Sequence, residues 1–284
     1  MKRISISIFV LVLASTMVAW RTISSGSMAN AICQQTFAST KAIETIRYQM
    51  RKEERIADEM HVQISDIKLN RSPYQVYMKQ LSPKKGLEVL YKENDDKAFV
   101  SPNGFPWVTL KMDPEGSTML KNQHHTVKDA GFDLVISILE HLFKKYDSEL
   151  DQMLSMAPDV TFDNQECHRI IFTNNHFGYK KYQVKANEDI LSIAKKNKLC
   201  SYLILEKNPQ VDHYYDVDEG DEILIPSDYS PKMELLIDKV RLIPLSIKVY
   251  DDEGLFENYQ YTNVHLDADL TPDDFSHDNA DYGF

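Results

Sequence analysis

Short segments with alternating apolar residues, separated by turn-forming residues, dominate the first half of the chain. They lie between residues 62 and 110: Val62–Ile67, Tyr74–Met78, Leu87–Tyr91, Ala98–Val100 and Trp107–Leu110. Period-two alternation places successive side chains on opposite faces of a strand. Because Pro, Gly, Asn and Asp fill the short gaps between these segments, neighbouring strands are expected to run antiparallel. The sequence therefore predicts an antiparallel meander.

Helical spacing replaces the alternation in the middle of the chain. Apolar residues recur every three to four positions from Phe132 to Leu142, and Thr126 with Asp129 forms a capping-box pattern before them. A second short helix is predicted over Ser148–Met156. Strands then return: Val160–Phe162, His168–Thr173, Met233–Ile237, Leu245–Tyr250 and Phe256–Leu266. Strands on both sides of a central helical region indicate the α+β class, here a curved antiparallel β half-barrel with covering helices.

The N-terminus has the order of charge and hydrophobicity that is typical of a signal peptide. Lys2 and Arg3 precede the apolar run Ile4–Val18, and Ala29-Asn30-Ala31 offers a small-x-small cleavage pattern. Residues 1–31 are therefore predicted to be a cleaved signal peptide, and the protein is predicted to be periplasmic. An uncleaved membrane anchor remains the alternative, because Ile4–Trp20 is at the short limit for a membrane span.

Charge and cysteine content exclude several classes of function. The formal net charge is −11, which argues against nucleic-acid binding because phosphate recognition needs a concentrated Lys/Arg surface. No phosphate-binding glycine motif is present in the sequence, so no cofactor is predicted. Cys33, Cys167 and Cys200 lack the spacing of a metal site, so no metal is predicted either. One disulfide is possible in an exported chain, but its pairing stays open.

Residues 182–226 have the pattern of a small βααβ unit. Tyr182-Gln183-Val184 predicts a strand, two short helices follow, and Gly220 precedes the last strand, Ile223–Pro226. An Asn208-Pro209 turn follows the second helix. This order closely resembles the LysM family, which implies binding of peptidoglycan or another N-acetylglucosamine glycan. By this resemblance the glycan-binding residues are Asn187, Glu188, Asp189, Ile190, Asn208, Pro209 and Gln210.

The first loop of this unit departs from the family pattern. Asn187 stands where LysM domains usually have Gly, and Asn tolerates the left-handed backbone that such a turn requires. Asp189 stands where they usually have Thr and adds a negative charge beside Glu188. This charge is compatible with a neutral sugar but would repel an anionic wall polymer. The alternative is that the unit serves only packing or protein contacts.

The flanking segments, 32–178 and 227–284, are predicted to form one split antiparallel half-barrel domain. They resemble an exported bacterial family that is known only as a domain of unknown function. The stretches that carry the resemblance include Ser72–Tyr77, Gly86–Tyr91, His124–Thr126 and Asp129–Phe132. That family is similar in fold to the lipoprotein-localisation carriers, which implies a half-barrel that binds a hydrophobic ligand or a partner.

Two histidine groupings are the candidates for catalysis. His124 and His125 lie near Asp129, and His168 follows Cys167 on a predicted strand whose alternation would point the two side chains to opposite faces. We expect ordinary loop and capping hydrogen bonds for the first pair and no enzymatic activity. The strand tyrosines are Tyr74, Tyr77, Tyr91, Tyr250, Tyr259 and Tyr261. They fit cross-strand packing better than an aromatic-lined cavity.

The leading hypothesis is a non-enzymatic periplasmic protein. Its LysM unit would bind peptidoglycan, and its half-barrel would bind a hydrophobic ligand or a partner. The alternative is a lipid or lipoprotein carrier in which the LysM unit is vestigial. An envelope hydrolase that uses His124, His125 or His168 is the third hypothesis.

Overall fold

A computed structural model describes residues 24–284. Most of the predicted signal peptide therefore lies outside the described residues. Within residues 24–284, no helix is long and apolar enough to span a membrane.

One large antiparallel sheet forms the frame of the molecule. Its strands are β1 (Thr45–Ile56), β2 (Glu59–Arg71), β3 (Tyr74–Ser82), β4 (Glu88–Lys92), β5 (Ala98–Ser101), β6 (Leu110–Met112), β7 (Leu154–Phe162), β8 (Gln165–Thr173), β11 (Lys232–Asp238), β12 (Pro244–Tyr250) and β13 (Leu255–Leu266). Their order across the sheet is β6-β5-β4-β3-β2-β1-β13-β12-β11-β8-β7. The first six strands are sequential neighbours, and β2 to β5 among them confirm the predicted meander.

The remaining two strands and two helices form the βααβ unit. β9 (Tyr179–Gln183) pairs with β10 (Glu222–Pro226), and α5 (Ile190–Asn197) and α6 (Ser201–Glu206) lie between them in the chain. β8 and β11, which flank the unit in sequence, pair with each other, for example Ile170 with Leu235. The chain thus leaves the large sheet after one strand and re-enters it at the neighbouring strand.

The βααβ unit packs into the large core. Its own apolar centre is built from buried side chains, among them Ile190, Ile193, Ile204, Ile223 and Ile225. Cys200 and Leu203, in and next to α6, belong instead to the main hydrophobic core. The second helix of the unit is therefore fixed to the half-barrel by apolar contact.

Helices α1 (Ser25–Lys41), α2 (Ser117–Leu120), α3 (Asp133–Lys145) and α4 (Leu150–Met153) lie along the sheet domain. α1 and α3 pack against each other through Phe37 and Phe143, whose ring centroids are 5.2 Å apart. α3 buries the stripe that includes Ile136, Leu139 and Leu142, as helical spacing predicted.

The predicted helix start at Thr126 is correct only for one turn. Thr126 and Asp129 form the predicted capping box, but it caps a 3-10 turn over Val127–Asp129. Gly131 then adopts φ +93°, and a Cβ atom at this position would lie 2.6 Å from Leu69. The backbone passes so close to β2 that the chain turns here, and α3 begins two residues later.

Two further element predictions were wrong. The helix expected over Ser148–Met156 is only the single turn α4, because the chain enters β7 at Leu154 and pairs with β8. The strand expected over Trp107–Leu110 begins only at Leu110, and Trp107 is exposed in a turn.

Helix α1 crosses the predicted cleavage point after Ala31. Ala29 and Cys33 are both buried in the main core. Gly26 approaches the backbone of Asp151 so closely that a Cβ atom would lie 2.0 Å from its carbonyl oxygen. The fold therefore uses residues that cleavage after Ala31 would remove, and that cleavage stays a prediction.

Candidate functional site

A cavity of about 470 Å³ lies between the sheet and α3. Its apolar wall comes from both halves of the sheet and from the helix: Ile67, Val76, Met78, Val89, Val100, Met233, Ile247, Val249, Leu134, Val135 and Ile138. Side chains of β2 to β5 and of β11 and β12 meet around one space, so the sheet curves around it. The curved antiparallel sheet with a covering helix agrees with the predicted fold class.

A group of charged and hydroxyl side chains that contact one another forms part of the cavity lining. Lys52 and Glu54 come from β1, Glu257 and Tyr259 from β13, and His125 from the loop before the 3-10 turn. Tyr229, between β10 and β11, completes this group. We call these six residues the polar end of the cavity.

Glu257 is the centre of the polar end. Its carboxylate is fully buried, and its Oε1 atom lies 2.8 Å from Nδ1 of His124 and 3.1 Å from Nε2 of His125. The Tyr229 hydroxyl donates to Oε2 at 2.9 Å and lies 3.0 Å from Nε2 of His125. A buried charge of this kind needs such partners, because desolvation otherwise costs several kcal/mol.

The charges of Glu257 and His125 support each other. Burial alone would raise the pKa of Glu257, but the two histidines outweigh it and hold this pKa well below its usual value. Burial alone would lower the pKa of His125, but the charge and hydrogen bond of Glu257 outweigh it and raise the pKa to about 9. At neutral pH the pair is therefore a carboxylate and an imidazolium.

A second carboxylate, Glu54, lies beside the first. It accepts a hydrogen bond from the Tyr259 hydroxyl at 2.7 Å and lies 3.2 Å from the Lys52 ammonium group. Burial alone would raise the pKa of Glu54, but the charges of Lys52, His124 and His125 and the Tyr259 hydrogen bond hold it below its usual value. Lys52 with Glu54 and His125 with Glu257 thus form two ion pairs.

His124 is held as an oriented group behind this end. Its ring stacks against Tyr202 at 4.6 Å and Phe256 at 4.2 Å between centroids, and its Nε2 lies 2.8 Å from the carbonyl oxygen of Arg55. That carbonyl can only accept, so Nε2 is the donor in this bond. The loop hydrogen bonds expected for this histidine are instead buried bonds to distant strands, and that expectation was wrong.

Among residues 24–284, one group of side chains could hold a metal ion: His124, Cys200 and Glu257. One ligand atom from each lies within 4.8 Å of the others, and all three residues are buried. Zinc would require the Cys200 thiolate. Burial and the neighbouring Glu257 carboxylate raise the pKa of this thiol well above its usual value. His124 and Cys200 already contact Glu257 through hydrogen bonds.

The catalytic groupings weighed from the sequence are His124 and His125 with Asp129, and His168 with Cys167. Burial raises the pKa of the Cys167 thiol, and it raises that of Cys200 as well, which makes both poor nucleophiles. His168 Nδ1 lies 3.5 Å from Asp159, while Cys167 points into the core on the other face of β8. Cys33, Cys167 and Cys200 are all free and buried.

The first loop of the predicted glycan site is shaped mostly by internal contacts. Asn187 adopts φ +60°, the left-handed conformation predicted for it. Glu188 accepts hydrogen bonds from the Tyr182 hydroxyl at 2.7 Å and from Lys196 at 2.8 Å. Asp189 caps α5, and Ile190 is fully buried.

The second loop is likewise tied to its own unit. Asn208 is buried, donates to the carbonyl oxygens of Ile204 and Leu224, and accepts from the Leu224 amide. Pro209 and Gln210 are exposed. Of the seven predicted residues, Asn187, Pro209 and Gln210 leave a surface that a ligand could contact.

The strand tyrosines divide between the two roles considered. Tyr74 and Tyr91 pair across strands with centroids 6.3 Å apart, and Tyr77 stacks on Tyr282 at 3.8 Å. Tyr259 lines the cavity, as does Tyr261. The preference for cross-strand packing was therefore right for Tyr74 and Tyr91 and incomplete for β13, while Tyr77 packs against the C-terminal segment instead of a strand.

The functional residues that sequence reasoning missed are Glu54, Tyr229 and Glu257. Glu257 lies between two apolar or aromatic positions of β13, in the sequence Leu255-Phe256-Glu257-Asn258-Tyr259. A carboxylate within a strand that is otherwise buried is a detectable signal, because such a group needs a buried partner. The sequence does not show which partner that is.

No curated relative matches the sequence. Among solved structures, the fold has a likeness to a DUF1329 family protein from Desulfovibrio piger, with 8% identity over 89% of this chain and 98% of that chain and a TM-score of 0.36. Lipoprotein LppX from Mycobacterium tuberculosis is 9% identical over 86% of this chain and 97% of its own, with a TM-score of 0.42. LprF from Mycobacterium bovis is 11% identical over 87% and 97%, also with a TM-score of 0.42.

A family model gives a match within the sequence itself. It is described as a protein of unknown function, DUF1571, and it matches residues 43–212. The match covers β1 to β8 and continues into the βααβ unit, so this model does not separate the unit from the sheet. Because the matched segment is more than half of the chain, the protein belongs to the DUF1571 family.

Proposed function

We propose that this protein is a non-enzymatic carrier that holds one hydrophobic, acyl-chain-bearing ligand in the cavity between the sheet and α3. The cavity itself is the observation that carries this proposal. Its volume of about 470 Å³ falls within the range of roughly 300–1,000 Å³ that ligand pockets occupy. The proposal favours the lipid or lipoprotein carrier over peptidoglycan tethering as the main role.

The combination of apolar and polar side chains in the lining supports an amphiphilic ligand. The apolar part of the lining, which includes Ile67 and Val249, favours a hydrocarbon chain, since each buried CH₂ group contributes about 0.8 kcal/mol. At the polar end, the His125 ring can donate from Nδ1 to a carbonyl oxygen of a carboxyl, ester or amide head group. The Tyr229 and Tyr259 hydroxyls already donate to Glu257 and Glu54, so they can accept from an amide or a protonated carboxyl group. The paired charges would orient this head group.

Native mass spectrometry of the purified protein tests this role. We expect a bound species whose mass fits an acyl lipid or lipopeptide, which organic extraction removes and incubation with oleic acid restores in part. The bare polypeptide mass before and after such incubation would contradict the proposal. The protein should be purified from the envelope of a bacterial expression host, because we propose that it works in the periplasm.

A second candidate function is glycan binding by the βααβ unit. The left-handed turn at Asn187 and the exposed Pro209 and Gln210 support it, because these predicted contact positions are open to a ligand. Co-sedimentation with purified peptidoglycan sacculi tests it. We expect the protein to co-sediment with the sacculi, Gln210→Ala to weaken this binding, and Asp216→Ala to leave it unchanged. Recovery of all protein in the supernatant would exclude this function.

A further inference from the structure

The loop between β5 and β6 exposes three large apolar side chains in sequence. Phe105 is 87% exposed, Trp107 is 78% exposed and Val108 is 56% exposed. Scattered single exposed residues are ordinary on a soluble protein, but a contiguous exposed apolar patch marks an interaction surface. We call residues 102–109 the aromatic loop.

The backbone conformation at Trp107 is one that a tryptophan rarely adopts. Trp107 adopts φ +60°, a left-handed conformation that bulky side chains rarely occupy. Its amide donates to the carbonyl oxygen of Gly104 at 2.6 Å, which closes the turn and holds the indole outward. Neither local conformation nor burial within the protein accounts for a tryptophan here. Strained positions of this kind concentrate at functional sites.

Basic residues adjoin the aromatic loop. Asn103 donates from its side-chain amide to the carbonyl oxygen of Lys85 at 3.1 Å, which fixes the loop against the β3–β4 turn. Lys84 and Lys85 are exposed on that turn. In a chain with a net charge of −11, this local positive charge beside aromatic side chains matches an anionic surface.

The same two loops border the cavity. Pro83 and Lys84 on one loop and Pro102 on the other belong to its lining, as does the exposed Lys121. The aromatic loop thus begins at the rim of the space in which we place the ligand.

We propose that the aromatic loop inserts into the interface of an anionic lipid bilayer, with Lys84 and Lys85 at the level of the head groups. Tryptophan prefers this interface because its ring is amphipathic. Insertion would seat the rim of the cavity on the membrane surface. The proposal concerns the loop alone and goes beyond ligand binding, since it holds whatever the cavity contains.

Tryptophan fluorescence tests the loop directly. The chain has two tryptophans, so Trp20→Phe leaves Trp107 as the only one. With vesicles of phosphatidylethanolamine and phosphatidylglycerol, we expect a blue shift of its emission and quenching by brominated acyl chains. Because the signal comes from Trp107, membrane binding by the N-terminal apolar segment does not produce it. An unchanged spectrum would overturn the proposal.

Matched variants in the Trp20→Phe chain separate the contributions. Phe105→Ser should raise the lipid concentration for half-maximal quenching about tenfold or more. Val240→Ser, which changes an exposed apolar residue elsewhere, should leave it unchanged. Lys84→Gln should raise it about fivefold, and only with anionic vesicles. Equal quenching with phosphatidylcholine, or a dimer in light scattering that Trp107→Ser abolishes, would overturn the assignment to an anionic bilayer.

Discussion

Substitution of a single side chain at the polar end of the cavity is expected to lower stability strongly, because these side chains are charged and buried. Glu257 joins two histidines and a tyrosine that come from distant parts of the chain. Removing one member of a buried ion pair leaves the other charge uncompensated, which costs more than the pair itself contributes. The stability of this region therefore depends on Glu257 more than on any exposed carboxylate.

Glu257→Gln is expected to lower the free energy of unfolding by roughly 3–5 kcal/mol, because His125 loses its buried countercharge. Urea denaturation at neutral pH measures this loss. Glu166→Gln is the control, since the Glu166 side chain is 67% exposed and its removal should change stability by at most about 0.5 kcal/mol. Equal effects of the two substitutions would contradict the central position of Glu257.

Glu188 gives a pH-dependent prediction in the βααβ unit. The hydrogen bonds from Lys196 and Tyr182 lower its pKa from 4.5 to about 2. A lowered folded-state pKa stabilises the protein above the unfolded pKa, and this contribution is lost as pH falls from 4.5 to 2. Because Lys196 is largely exposed, we expect Glu188→Gln to cost only about 1 kcal/mol at pH 7.

The difference between wild type and Glu188→Gln should shrink as the pH falls below 4.5. Chemical denaturation of both proteins at several pH values measures it. A difference that stays constant from pH 7 to pH 3 would show that the carboxylate is not stabilised as the contacts indicate.

At the scale of elements, the break before α3 depends on a single glycine. Gly131 combines a left-handed φ with close approach to Leu69, whereas Gly178 has no atom within 4 Å of a built Cβ. We expect Gly131→Ala to destabilise the protein by about 2 kcal/mol and Gly178→Ala to have little effect. Thermal unfolding of both variants checks this, and equal melting temperatures would contradict the account of the break.

The elements that the sequence predicted correctly are those with local causes. The meander from β2 to β5 follows from period-two alternation and short turns, and the Thr126 capping box follows from residue spacing alone. The strand over Trp107–Leu110 failed because its apolar residues face outward, so hydrophobicity there does not report burial. The prediction of one helix starting at Thr126 failed because the chain breaks at Gly131, and the cause of this break is contact with β2.

At the scale of the whole molecule, the cavity brings together residues that local patterns cannot connect. His124 and Glu257 are 133 positions apart in the chain and meet only because β13 pairs with β1. Pattern reasoning gave the sheet class and the βααβ unit, but it assigned His124 and His125 to ordinary loop bonds. The candidate site could not be derived without the register of the closing strands.

The cavity is the part of the molecule that we propose binds an acyl chain. Met78 lines the cavity, while Met60 is 41% exposed and lies outside its lining, so the two methionines form a matched pair. Met78→Trp would fill part of the apolar space, and Met60→Trp would leave it open. If the indole displaces two CH₂ groups of the ligand, each of which contributes about 0.8 kcal/mol to binding, the affinity falls roughly tenfold.

The most direct measurement is therefore titration of the two variants and wild type with a fluorescent fatty acid such as cis-parinaric acid. We predict saturable binding by wild type and Met60→Trp with the same Kd, and a Kd at least about tenfold higher for Met78→Trp. Identical binding curves for all three proteins, or no saturable binding by wild type, would contradict the claim.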